Sequence, residues 1–71
     1  MQVVLNTLAV RQIMARKNMS QNRLAQRLGT SSGYLSQLMT GKRSPSPQMR
    51  KKLLKVLSGC AFDDLFLLRH G

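Results

Sequence analysis

Between residues 21 and 41 the chain reads "QNRLAQRLGTSSGYLSQLMTG", two segments with apolar residues at helical spacing on either side of a glycine and three small hydroxyl residues. Leu24, Ala25 and Leu28 fall on one face of the first segment, and Leu35 and Leu38 on one face of the second. Gly29 stops the first helix, because glycine reaches the left-handed conformation that a helix end often needs, and Gly41 ends the second. Ser20 offers an N-cap oxygen to the helix from Gln21 to Leu28, and Thr30 or Ser31 caps the next one. Small Ala25 lets the two helices approach, and the leucines lock the pair onto a common core.

The remaining segments supply that core. Asn6 caps a first helix in which Leu8, Ala9, Val10 and Ile13 form an apolar face ending near Asn18, with Val3, Val4 and Leu5 packed beneath it. "SPSPQ" at 44–48 is a strong start signal, with Ser46 as N-cap and Pro47 at the first helical position, and Met49, Leu53, Val56 and Leu57 continue that helix. A short last helix follows Gly59, with Asp63 and Asp64 near its positive end and Phe62, Leu65 and Leu68 turned inward. No period-two alternation runs long enough to suggest a strand. The expected fold is therefore all-α, five short helices in a single compact domain over residues 1–71, with the paired helices at about 20–40. At 71 residues one hydrophobic core is only just sufficient, and there is no room for a second domain.

Charge narrows the partner. Twelve Lys and Arg stand against two acids, a formal net charge of +10, and both acids, Asp63 and Asp64, lie near the C-terminus. A surface this basic repels itself, so a polyanion is the natural partner, nucleic acid ahead of an anionic membrane. The longest apolar run, "LFLL" at 65–68, is far too short to span a bilayer, and no secretory leader opens the chain, so a cytoplasmic protein is expected. Cys60 is the single cysteine and excludes an intramolecular disulfide or a cysteine-based zinc site; it reads as a small buried apolar residue. No enzyme is expected: His70 sits next to the C-terminal residue, the two acids are adjacent, and no nucleophile has a base at a recognisable spacing. No cofactor, metal or small-molecule ligand is expected.

Two helices of about two turns, joined by a short turn containing glycine, make a helix-turn-helix, which presents its second helix to a DNA major groove. From about Asn6 to Phe66, and most specifically in "MSQNRLAQRLGTSSGYLSQLMTGKRSPSP", the chain resembles the Cro and phage-repressor type of helix-turn-helix domain. The resemblance implies five helices, sequence-specific binding of double-stranded DNA, transcriptional regulation, usually repression, and action as a dimer. It implies phosphate binding by Gln21, Asn22 and Thr30 and by Lys42 and Arg43 in the loop after the third helix. Base reading falls on Ser32, Gly33 and Gln37, with Tyr34 beside them. Many relatives place an arginine late in the first helix and a glutamate at the end of the third; here those positions are Met14 and Met39. The link "SGCAFDD" is one residue longer than the commonest form.

The chemistry of the carried-over residues is mixed. Gln37 can bond an adenine edge bidentately, Ser32 reads with little selectivity, and Gly33 has no side chain to read with. As ordinary residues, Gln37 would be a solvated helix position and Tyr34 a core-edge aromatic. Arg50, Lys51, Lys52 and Lys55 form a second basic block that either follows flanking DNA backbone or is a solvated face. The same fold could instead bind RNA or an acidic protein partner, although Tyr34, Phe62 and Phe66 are too few aromatics for a typical single-strand reader. Leu67, Phe66 and Leu68 carry more apolar surface than one short helix can bury, which suits a weak homodimer through the C-terminal segment.

Overall fold

The computed structural model describes residues 2–70. Seven elements follow in order: β1 Gln2–Leu5, α1 Thr7–Arg16, α2 Gln21–Leu28, α3 Ser32–Met39, α4 Pro47–Val56, α5 Phe62–Leu65 and β2 Phe66–Arg69. The five expected helices are present, but the fold is not strictly all-α. β1 and β2 form a two-stranded antiparallel sheet in the register Gln2↔Arg69, Val3↔Leu68, Val4↔Leu67 and Leu5↔Phe66. Each strand has four residues, too few to display a period, and its partner lies at the other end of the chain. Val4 and Leu5 are buried and Val3 partly so, as members of β1.

The last helix is correspondingly shorter than the apolar pattern suggested. It stops at Leu65, the backbone turns extended at Phe66, and Leu68, expected to point inward, is 53% exposed on β2. Leu8 is a second correction: at 70% exposure it lies outside the core face of α1, which is Val10, Ile13 and Met14. Two positions of a helix are separated by about 200° of rotation, so Leu8 cannot share a face with Val10. Cys60 is half-buried at the edge of the core and Val56 is likewise only partly covered. The core is otherwise the expected leucine set, with Leu24, Leu28, Leu35, Leu38, Leu53, Leu57 and Leu65 fully buried.

Local chemistry explains why the helices begin and end where they do. Asn6, Ser20, Ser31 and Ser46 each accept a backbone N–H three residues on, from Ala9, Arg23, Tyr34 and Met49. Three successive helices then close in the same way. Asn18 (φ 53°), Gly29 (φ 71°) and Gly41 (φ 80°) each adopt the left-handed conformation just past a helix. The following N–H reaches back to the last turn, Met19 to Met14 O, Thr30 to Ala25 O and Lys42 to Gln37 O.

One side-chain bond ties the fourth element to the second. The Thr7 hydroxyl donates to the Met39 carbonyl at 2.6 Å, satisfying a C-terminal carbonyl of α3 from the first turn of α1. Thr7→Val keeps the shape and removes the donor; it is expected to cost about 1 kcal/mol, which lowers the thermal midpoint of a domain this size by about 4–8 °C. An unchanged midpoint in a thermal melt would show that water replaces the bond.

Candidate nucleic-acid interface

α2, Gly29 and α3 form the expected helix-turn-helix, and backbone hydrogen bonds tie the turn back to the last turn of α2. The N–H of Gly29 goes to Gln26 O at 3.1 Å and that of Thr30 to Ala25 O at 3.0 Å. Ser31, not Thr30, caps α3, accepting the Tyr34 N–H at 3.1 Å. Its hydroxyl is thus committed to the helix start, while the first residues of α3 stay exposed.

Burial divides α3 cleanly. Leu35, Leu38 and Met39 face the core; Ser32, Gly33, Ser36 and Gln37 are exposed, and Thr40 continues that face just past the helix. Three of the four base-reading candidates therefore share an open polar face. Tyr34 is half-buried and packs against the core, as expected of a core-edge aromatic, next in sequence to the exposed Ser32 and Gly33. Ser36 and Thr40 were missed as candidates. Their signal was available, because they stand one and two helical steps of four from Ser32.

The basic loop after α3 is held to the helix itself. Gln37 O accepts both the Lys42 N–H at 3.0 Å and the Arg43 N–H at 3.3 Å, so the backbone of these two exposed bases is fixed relative to the exposed face of α3. The Arg43 guanidinium lies 6.0 Å from the Tyr34 ring centroid, at the outer reach of a cation–π contact. Tyr34 can thereby restrain a side chain that reaches outward. Gln21 is half-buried at the first position of α2 and Asn22 is exposed beside it. They stand on a separate helix from the Gln37–Lys42–Arg43 unit. Neither α2 nor α3 has an acid in its first turn, so nothing opposes an anion at their positive ends.

The second basic block divides on folding. Lys52 and Lys55 meet Arg27, Gln26 and Ser58 around an open groove of about 590 Å³ between α2 and α4, over an apolar floor that includes Leu28 and Val56. Lys51 is exposed, whereas Arg50 is half-buried with its Nε lacking a partner. Both acids sit in the first turn of α5, where Asp64 accepts the Ala61 N–H at 2.8 Å. Among the described residues no helix is long and apolar enough to cross a membrane, and no group of His, Cys, Asp or Glu is placed to hold a metal ion.

No curated protein matches the chain. The model of the helix-turn-helix family matches residues 10–65, from the core face of α1 to the end of α5 and so across every helix that builds this interface. With its capped helix pair, glycine turn and open polar third helix, the chain belongs to the Cro and phage-repressor type helix-turn-helix family of DNA-binding regulators.

Proposed function

We propose that this protein is a transcriptional repressor that occupies a short operator in double-stranded DNA with α3 in the major groove. The observation that carries the reading is the make-up of the open face of α3. Ser32, Gly33, Ser36, Gln37 and Thr40 are small or neutral and can approach base edges, while the charges that hold phosphate, Lys42 and Arg43, follow at its end. In this reading Gln37 makes the one bidentate base contact, Ser32 and Ser36 assist, and Tyr34 contributes at the edge of the same face. Gln21 and Asn22 meet phosphate at the positive end of α2, and the Thr30 hydroxyl does so in the turn. Occupancy of the operator excludes polymerase. So thin a direct code leaves much of the selectivity to water and to the ease with which the DNA deforms.

The test is a titration, at one fixed salt concentration, with a duplex selected from a random pool, an unselected duplex, single-stranded RNA and anionic vesicles. The selected duplex is expected to bind about 10³-fold or more tighter than the unselected one. Equal or tighter binding of RNA or vesicles would reject the reading.

Gly33 offers a finer probe. A Cβ at this position meets nothing nearer than the Ser31 hydroxyl at 4.0 Å, so Gly33→Ala fits the free fold and should stabilise it, by up to about 1 kcal/mol. The same methyl would stand between the α3 backbone and the groove, so duplex affinity is expected to fall. A variant that is more stable and binds the selected duplex equally well would place the first turn of α3 away from the bases.

Two copies are proposed to meet through β2. That strand has β1 on one side only, and it exposes Leu67 at 50% and Leu68 at 53%. The interface is small and the charge of +10 on each copy opposes it, so the protein is expected to be monomeric when free at micromolar concentration and dimeric on a duplex with two half-sites. Sedimentation that finds one copy per duplex at saturation would refute the pairing.

A further inference from the structure

Arg69 is the one Lys or Arg that lies beyond the acids in sequence, and folding returns it to the end of α3. It closes β2, where the register sets it opposite Gln2 and the alternation of the strand puts it on the same face as Leu67 and its partner Val4. A Cβ added to Gly41 would lie only 3.7 Å from the Arg69 guanidinium. Gly41 is followed directly by Lys42 and Arg43, the loop whose N–H groups are tied to Gln37 O. Bases from the middle and the end of the chain are thereby gathered at one corner, and Arg69 is exposed there.

A structural duty for Arg69 would be to neutralise the negative end of α3. The carbonyls at that end already have donors: Gln37 O takes Lys42 and Arg43, Leu38 O takes Gly41, and Met39 O takes the Thr7 hydroxyl. Among the described residues no acid is paired with the guanidinium; Asp64 is engaged with Ala61 at the start of α5. Gathering like charges raises the energy of the free protein and lowers that of a complex with a polyanion.

The geometry points to Arg69 as a further phosphate-gripping residue, which with Lys42 and Arg43 forms a three-base clamp on the DNA backbone at the C-terminal end of α3. This rests on the duplex-binding reading above. It makes the terminal strand part of the binding surface as well as of the fold, so β1–β2 pairing and the grip on DNA are linked.

The experiment compares salt dependence of binding to an unselected duplex for the full chain and for Arg69→Gln, Arg69→Lys, Arg43→Ala and Arg16→Gln, with thermal melts of each. Arg16 lies in a separate groove with Gly59, Cys60 and Asp64 and controls for loss of charge alone. Arg69→Gln is expected to lower the slope of log K against log salt by about one unit per copy and to leave the melt unchanged, and Arg69→Lys to keep the slope. Arg16→Gln should keep it too. The inference is overturned if Arg69→Gln keeps the full slope while Arg43→Ala lowers it, if Arg16→Gln lowers it as much as Arg69→Gln, or if Arg69→Gln destabilises the fold without changing the slope. Failure of the duplex reading itself looks different: no variant changes the slope, and duplex is not preferred over RNA.

Discussion

Met39→Glu is expected to cost about 3–5 kcal/mol, the scale of a buried charge left without its partner. Met39 is 5% exposed and Met14 7%, and both belong to one core in which every buried residue among those described is apolar. A carboxylate introduced there would be desolvated among apolar side chains, and the Thr7 hydroxyl that reaches the backbone of this residue already donates to its carbonyl. The resemblance to the phage-repressor type implies that many relatives carry an arginine and a glutamate at these two positions. The apolar pair avoids the desolvation of two charges and fills the space with flexible side chains. Met39→Leu should therefore cost less than about 1.5 kcal/mol. Adding Met14→Arg to Met39→Glu should recover much of the loss in urea unfolding. A double variant no more stable than Met39→Glu alone would show that the two positions do not face each other.

Gln37→Ala and Arg43→Ala are expected to weaken DNA binding in different ways. Phosphate contacts act on every sequence through released counterions, so Arg43→Ala should weaken selected and unselected duplexes by similar factors and reduce the salt slope by about one unit. Gln37→Ala should cost about 1–3 kcal/mol on the selected duplex, little on the unselected one, and leave the slope nearly unchanged. The backbone connects the two residues, since Gln37 O accepts the N–H groups of Lys42 and Arg43, but both substitutions leave that carbonyl in place. The side chains are thus tested separately. If both variants give the same ratio of selected to unselected affinity, Gln37 does not read a base.

The helix-turn-helix was legible because its signals are local. Caps at Ser20, Ser46 and Asn6, the left-handed Gly29 and Gly41 and the spacing of Leu24, Leu28, Leu35 and Leu38 each act within a few residues, and each appears at its expected place. Thr30 and Ser31 were equivalent by residue type, and only the path of the turn chose Ser31. Ser36 shares the exposed face of Ser32 by the same local helical spacing. The burial of Tyr34 beside an open face was not decided by type either, because an aromatic with a polar tip suits both settings.

What the sequence determined by itself was the five-helix core, the family and the basic character of the surface, all of which follow from short-range periodicity, capping chemistry and charge. The tertiary structure alone decided the sheet with the exposure of Leu68 on it, the Thr7 bond to α3, and the return of Arg69 to Gly41. Each of these joins distant parts of the chain. The four residues of β2 extend naturally from α5 as a helix until β1 offers its backbone hydrogen bonds, and that offer is invisible in either segment read on its own.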